Sequence, residues 1–553
     1  MRRRRAALLV LIAVIAGPRA SRAQIVFTDV AERSGVRFRH SDGSCGKRLF
    51  AEQVGGGAAF FDADGDGRLD LYLTGGVPLP GCPPAEGPGS MLFRNEGGGA
   101  FADRTAESGL GEPGYATGVA AGDIESDGDT DLFVACYGPD RLYRNGGGGK
   151  FRDIAADVGV ADPSFGASAT FLDIDADGDL DLYVTNYVAV GPANERACFR
   201  MQIPAYCLPQ DYPGEPDRLY RNDGGGRFTD VTEESGVRSE RARGLGVAAC
   251  DYDGDGRIDL FVANDTTDNE LFHNEGGGKL AERGLSAGVA LGEDGALQNG
   301  MGTDWGDHDG DGLFDVVVTN FETQANSLYR NLGDGFFADV SWASGIGEPG
   351  YPYVGWAAIF SDFDLDGLID LFIANGHVFD NAREIQEGAS WEQPCLVHRN
   401  AGGGKFTTAK LGAAEGCAPR SSRGAAAGDY DDDGDVDLAV NNLRAPPYLL
   451  RNDSPRGSRS WFGVELRGTR SNRLAIGARL TLRAGGALQV REVKGGSGYL
   501  GQNDFRVVFG LGEAARIERL EVRWPGGATE DITGAVKLGA YAKVSEGGLR
   551  DSR

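Results

Sequence analysis

One pattern of carboxylates recurs seven times along this chain: Asp-x-acid-x-Asp-Gly-x-x-Asp, followed by an apolar residue. The copies place carboxylates at Asp62, Asp64, Asp66 and Asp70; Asp123, Glu125, Asp127 and Asp131; Asp173, Asp175, Asp177 and Asp181; and Asp251, Asp253, Asp255 and Asp259. The remaining three carry Asp307, Asp309, Asp311 and Asp315; Asp362, Asp364, Asp366 and Asp370; and Asp429, Asp431, Asp433 and Asp437. The seventh position is occupied by Arg68, Asp129, Asp179, Arg257, Leu313, Leu368 and Asp435. No side-chain type is kept there, which suits a residue that offers its backbone carbonyl. Acids at the first, third and fifth positions wrap one face of a hard cation, and glycine at the sixth permits the sharp turn. The carbonyl of the seventh and the acid of the ninth complete an oxygen cage of the kind calcium takes. The expectation is about seven structural calcium ions per chain.

Two other readings compete. An EF-hand needs Glu at position twelve and flanking helices. Position twelve is here Leu73, Val134, Val184, Val262, Val318, Ile373 and Val440, all apolar, so EF-hand and dockerin-like readings fail. Solvated acidic turns that bind nothing would explain one copy. They do not explain seven copies with acids at the same four positions, because four like charges in one short loop repel without a counter-ion.

The elements around each loop are equally regular. A run of small apolar residues leads in, as in Gly118-Val119-Ala120-Ala121-Gly122, and an alternating strand such as DLFVAN or DLYVTN leads out. A further strand ends in an Arg-Asn or His-Asn step, as at Arg144-Asn145. A glycine-rich turn follows, because hairpin turns need positive φ, and a last strand of the Phe-x-Asp-Val type closes the unit. Four antiparallel strands per repeat, at spacings of 50 to 78 residues, read as blades of an all-β, seven-bladed β-propeller. The seventh unit lacks its last strand, and an orphan copy, Phe27-Thr28-Asp29-Val30, sits near the start of the chain. It is expected to pair with Leu449-Leu450-Arg451, which removes the exposed edges.

Composition bounds the partners. A formal net charge of −27 over 553 residues disfavours nucleic acid, whose phosphates would be repelled. Arg2 to Arg5, the apolar run Ala6 to Ala16 and Ser21-Arg22-Ala23 read as a signal peptide cleaved before Gln24. An uncleaved anchor is the alternative, although the run is short for a membrane span. The product is then secreted or periplasmic, with no span remaining. Eight cysteines in an exported chain permit disulfides. Cys198 with Cys207 is the best pair, Cys45 with Cys82 and Cys395 with Cys417 follow, and Cys136 and Cys250 read as buried thiols.

The seven loops resemble the FG-GAP or VCBS repeats of integrin-α-type propellers. The tail resembles an ASPIC/UnbV domain through Ile476-Gly477-Ala478, Gly496-Ser497-Gly498-Tyr499, Phe509-Gly510-Leu511-Gly512 and Trp524-Pro525-Gly526-Gly527. Repeats followed by such a tail are the arrangement of cartilage-acidic-protein-like proteins. The resemblance implies an exported calcium-binding protein acting in extracellular interactions, and brings no established catalytic activity. The expected organisation is a signal peptide at 1–23, the propeller at 24–452, a linker at 453–460, a β-rich ASPIC/UnbV domain at 461–547 and a tail at 548–553. In that domain, Ala478 to Arg483, Leu488 to Val493, Phe505 to Phe509 and Ile517 to Val522 show strand patterns, and the Gly and Trp-Pro motifs read as turns and core.

Successive hairpins turn at alternate ends, so the acidic loops share one face of the disc and the long insertions fall on the other. These are Gly75 to Pro88, Val188 to Pro216 with Phe199, Tyr206 and Tyr212, and His377 to Pro394 with Phe379 and Trp391. Aromatics on tethered loops suit an extracellular protein or glycan, or merely cap the channel. A calcium-dependent interaction module is the leading function. A propeller-based polysaccharide lyase or hydrolase, or a lectin, is the alternative. The five histidines, His40, His273, His308, His377 and His398, form no recognisable catalytic grouping.

Overall fold

The computed structural model describes residues 24–548 except 84–88, 112–113, 413–416 and 515. The expected signal peptide, part of the first insertion and the tail from residue 549 lie outside the described residues.

Small residues set the architecture. The first strand of each repeat is buried along almost its whole length: Ala58–Phe61, Ala116–Gly122, Gly166–Leu172, Gly244–Cys250, Thr303–Gly306, Gly355–Ser361 and Ser422–Gly428. Each lies beside the next, and the last lies beside the first, so the seven close a circuit. Such convergence leaves no room for side chains between neighbours. A Cβ on Gly118 would stand 2.0 Å from Ala167 O, and one on Gly302 would stand 2.1 Å from Trp356 O. Only glycine allows backbones that close.

From each inner strand the chain zigzags outward through a four-stranded antiparallel sheet. In the second repeat the strands are Ala116–Gly122, Asp131–Cys136, Arg141–Asn145 and Phe151–Asp153, in that order. Seven such sheets make the all-β propeller read from the repeat. The seventh is completed by the chain's start: Phe27–Asp29 pairs antiparallel with Tyr448–Asn452, with Phe27 opposite Asn452 and Asp29 opposite Leu450. The N–H of Val30 continues the ladder to Leu449 O at 2.8 Å.

The C-terminal region is a second β structure. Trp461–Arg467 lies between Val507–Gly510 and Tyr541–Ser545, and Ala487–Glu492, Arg479–Ala484, Ile517–Arg523 and Thr529–Asp531 form a four-stranded sheet. Its core is continuous with the propeller's, because Phe462, Leu480, Leu520 and Trp524 share one buried cluster with Ile124, Phe171 and Leu182.

Two disulfides are formed, Cys45–Cys82 and Cys198–Cys207. The third expected pair is corrected: Cys395 and Cys417 are buried thiols with Sγ atoms 2.7 Å apart. Cys136 and Cys250 are buried thiols, as their strand positions suggest.

Candidate metal centres

Each acidic loop joins the first two strands of its sheet and is built by its own carboxylates. In the first loop, Asp62 Oδ1 accepts the N–H groups of Gly65 and Asp66 at 2.9 and 3.2 Å, while Oδ2 accepts that of Gly67 at 2.8 Å. The contact from the sixth-position glycine recurs in all seven loops at 2.7–3.1 Å. The turn needs left-handed backbone at two positions. The sixth is always glycine, as at Gly67 with φ 86°, but the fourth is glycine in three loops, Gly65, Gly254 and Gly310, and Ser126, Ala176, Leu365 or Asp432 at φ 57–63° in the other four. Holding non-glycine residues there costs on the order of 1 kcal/mol each, so the loop's other bonds fix that conformation.

The ninth-position acid anchors the loop to the sheet. One oxygen of Asp70 accepts the N–H of Ala63 at 3.0 Å and the other that of Asn95 at 2.7 Å. The pair recurs in every loop, down to Asp437, which holds Tyr430 and Asn452. The asparagine of the Arg-Asn or His-Asn step then reaches two loops at once. Its Nδ2 donates to the eighth-position carbonyl of its own loop and to the second-position carbonyl of the preceding blade's loop. Thus Asn145 bonds Thr130 O and Ala63 O, and Asn95 closes the circle by bonding Leu69 O and Tyr430 O. Asn222, Asn274, Asn331, Asn400 and Asn452 repeat this, so seven asparagines lace seven loops into a ring at 2.8–3.2 Å. In the sequence the asparagine is visible only as a strand ending. Its regular spacing after each loop was the signal.

Carboxylates converge within the loops. Ligand atoms of Asp62, Asp64 and Asp66, and of Asp173, Asp175 and Asp181, lie within 4.8 Å of one another. The same holds for Asp253, Asp259 and His273 and for His308, Asp309 and Asp315, so two histidines join the acids there. Burial pushes the acids up: Asp70, Asp173 and Asp429 to about 7, and Asp131 and Asp362 to about 8. Like-charged neighbours in the loops add to the rise. Such negative charge in a poorly solvated turn calls for a cation. Arginines of the Arg-Asn step supply part of it: Arg330 meets Asp309 and Asp311 at 2.5 and 3.0 Å, and Arg399 meets Asp364 and Asp366 at 2.6 and 2.5 Å. Yet Glu125 Oε2, Asp175 Oδ1, Asp431 Oδ1 and Asp435 Oδ1 are buried with no hydrogen-bond donor. Hard, anionic oxygens with unused lone pairs, beside a backbone carbonyl, are the donor set of an oxygen-loving divalent ion.

The C-terminal region lies across these loops. Gly510 sits on Asp362, whose Oδ2 would be 2.1 Å from a Cβ there, and Gly512 donates to Leu365 O at 2.9 Å. Segment 495–503 enters the axial channel. Gly501–Gln502 adds a parallel strand to Ala58–Ala59, and Gly498 exchanges two 2.8 Å hydrogen bonds with Thr303. Leu500 N bonds Ser168 Oγ, Gln502 accepts from Ala121 N, Asn503 accepts from Ala427 N, and Tyr499 packs on Trp356 at 4.8 Å. Gly246 lies against Gly498 O, so all seven inner strands touch this plug. The motifs expected to be turns and core are therefore also the docking surface.

The family model of the FG-GAP-like repeat matches residues 62–134, 123–184, 207–262, 251–318 and 307–373. The chain belongs to the FG-GAP-like repeat family. Its end, residues 468–548, matches the ASPIC and UnbV model. Among curated relatives of this FG-GAP-like chain, cartilage acidic protein 1 of Mus musculus is 30% identical over 310 residues, 54% of this chain and 44% of the relative. The Homo sapiens protein is 29% identical over 308 residues, 54% and 43%. The chain thus matches less than half the length of these relatives. Among solved structures, an Agrocybe aegerita lectin that recognises non-reducing terminal N-acetylglucosamine covers 71% of this chain and 86% of its own at 17% identity and a TM-score of 0.39.

Most of the named aromatics on the insertion face of the FG-GAP-like propeller are buried. Tyr206, Tyr212 and Phe379 are buried, and Tyr206 donates to Glu52 Oε2 at 2.8 Å. Arg444 stacks near Trp391 and donates to Tyr206 and Asp380. Phe199 alone of the five named aromatics is largely exposed, at 58%. His377 meets Glu322 at 3.2 Å and His398 meets Thr408 at 2.7 Å, while burial holds His40 down to about 4 and His398 to about 3. Among the described residues no helix is long and apolar enough to cross a membrane.

Proposed function

We propose that this protein is an exported calcium-binding interaction module in which calcium is structural and recognition belongs to the insertion face. The observation that carries the reading is the convergence of carboxylates within the repeated loops, as at Asp62, Asp64 and Asp66, together with buried loop oxygens that accept no hydrogen bond, such as Glu125 Oε2, Asp175 Oδ1 and Asp431 Oδ1. The first-, third-, fifth- and ninth-position acids and the seventh-position carbonyl would hold the ion. Bound calcium would neutralise charge that arginine meets only in part. The disulfides and the relatedness to cartilage acidic protein 1 support an extracellular or periplasmic setting. The partner is an extracellular protein or glycan, and the reading assigns no catalysis.

Elemental analysis after dialysis against calcium buffer tests the metal. Several calcium ions per chain are expected. Zinc instead, or no metal, rejects the reading.

A further inference from the structure

The seven loops are not equivalent once the C-terminal domain is in place. The first-position acids Asp62, Asp123, Asp173, Asp307 and Asp362 accept N–H groups of their own turns. Asp251 and Asp429 do so too, but each also takes a donor from the C-terminal domain. Arg523 grips the fourth loop at two points, pairing with Asp251 Oδ2 and donating to Gly254 O at 3.0 Å. Tyr541 donates to Asp429 Oδ2 at 2.7 Å in the seventh loop. Arg506, 4.5 Å from the Tyr541 ring centroid, bonds Asp429 O and Asp432 Oδ1 there, both at 2.6 Å. Asp251 is almost wholly buried, and among the described residues Arg523 pairs with no other carboxylate.

We infer that the fourth and seventh loops are coupling sites, at which Arg523 and Tyr541 of the C-terminal domain compete with a bound divalent cation for the first-position carboxylates Asp251 and Asp429. The inference rests on the calcium reading of the loops. An oxygen that serves the arginine or the phenol cannot serve a cation equally well, so filling these two loops loosens the grip of Ile517–Arg523 and Tyr541–Ser545 on the propeller. At the fifth and sixth loops the C-terminal domain acts less directly: Arg479 donates to Gly312 O at 2.5 Å, and the Arg491 guanidinium attracts Asp307 and Asp362. The result is a ring of unequal sites, in which the fourth and seventh report occupancy to the domain covering it. By linkage, a docked domain weakens those two sites by the factor by which their occupancy weakens docking.

Calcium titration of the chelator-stripped full chain, read by calorimetry and native mass spectrometry, tests this. The wild type should bind two of its ions more weakly than the rest. Arg523→Gln should tighten one of these on the order of ten-fold, the size of one charge-assisted hydrogen bond. Tyr541→Phe should tighten the other by less, and Arg519→Gln, on the same strand but facing Glu521, should change nothing. Hydrogen exchange in Tyr541–Ser545 should rise when calcium saturates the wild type and stay level in the double variant Arg523→Gln/Tyr541→Phe. If Arg523→Gln fails to fold, Arg523→Lys should give a smaller shift of the same sign. Calcium bound with affinities that none of the variants alters, and exchange that calcium leaves level, overturns the coupling while the calcium reading stands. No calcium in any form rejects the calcium reading and the coupling with it.

Discussion

The two faces of the propeller are built on opposite plans. On the loop face seven copies of one turn are laced by seven asparagines and covered by a second domain. On the insertion face no two connections are alike, and both disulfides, Cys45–Cys82 and Cys198–Cys207, lie in its long segments. The difference separates two tasks. A repeated ion-binding turn tolerates little variation, because each loop's second-position carbonyl is an acceptor for the next blade's asparagine. The insertion-face segments bond one another through side chains particular to each, as Tyr206 with Glu52 and Arg444, so no shared pattern limits their length, and such segments are where recognition residues accumulate on rigid scaffolds.

The largest expected effect breaks the comparison outright. Extracellular-type sites with dissociation constants of roughly 0.1 to 1 mM each contribute on the order of 0.4 to 1.4 kcal/mol at about 1 mM calcium. Seven of them are comparable with the roughly 5 to 15 kcal/mol net stability of a typical domain. Chelation should therefore lower the melting temperature by many degrees, and magnesium should restore it poorly because it demands a tighter octahedral shell. A thermal transition indifferent to chelator would make the loop face ordinary acidic turns.

Next comes the plug. Tyr499 is fully buried against Trp356 in the channel, so Tyr499→Ala should cost about 3–5 kcal/mol, the range of large-to-alanine changes in cores. Chemical denaturation measures it. A loss under about 1 kcal/mol, typical of surface changes rather than cavities, would mean that the segment does not fill the channel.

Much of this was legible in the sequence, for a physical reason. Repetition turns a weak local pattern into a strong one, so the loops, the strand order and the closure by Phe27–Asp29 could be read directly. The asparagine ring could not. Asn145 looks like any residue at a strand end until the preceding blade brings Ala63 O beneath it, and that neighbour exists only after the ring closes. The plug was hidden for a similar reason. Gly496-Ser497-Gly498-Tyr499 has the composition of a turn, and nothing local says that its glycines are small because Ala169 O stands 2.0 Å from where a Cβ of Gly496 would be. In the C-terminal domain, strands with alternating patterns were recognised, but Tyr541–Ser545 pairs in parallel with Trp461–Arg467 across a long stretch of chain, and local pattern does not reveal such pairing.

The asparagine ring gives a sharper and smaller test. Asn331 Nδ2 bonds Tyr252 O and Phe314 O at 2.9 and 3.1 Å, so Asn331→Ala strands two carbonyls, one in each of two loops. A buried unsatisfied group costs about 1–3 kcal/mol, and a loss of about 2–4 kcal/mol is expected, with weakened metal retention in the fourth and fifth loops. Unchanged denaturation and metal content would show that the sheets, not the asparagines, hold the loops together.

The smallest effect lies on the insertion face and separates scaffold from recognition there. The hairpin Cys198–Arg200 and Ile203–Ala205 is clamped at its base by the Cys198–Cys207 disulfide and turns through Met201 and Gln202, both with positive φ. Phe199 and Met201 project from it 58% and 75% exposed, while Tyr206, next to the clamp, is buried in the bond network of Glu52 and Arg444. One short segment thus holds both kinds of aromatic. Phe199→Ser should change stability by less than about 0.5 kcal/mol, as exposed positions do, because it removes no packing. Tyr206→Ala should cost about 3–5 kcal/mol, because it opens a cavity and strands Glu52. Thermal denaturation of the two variants side by side measures the contrast. If Phe199→Ser destabilises as much as Tyr206→Ala, the hairpin tip is part of the scaffold and the insertion face loses its most accessible aromatic anchor for a partner.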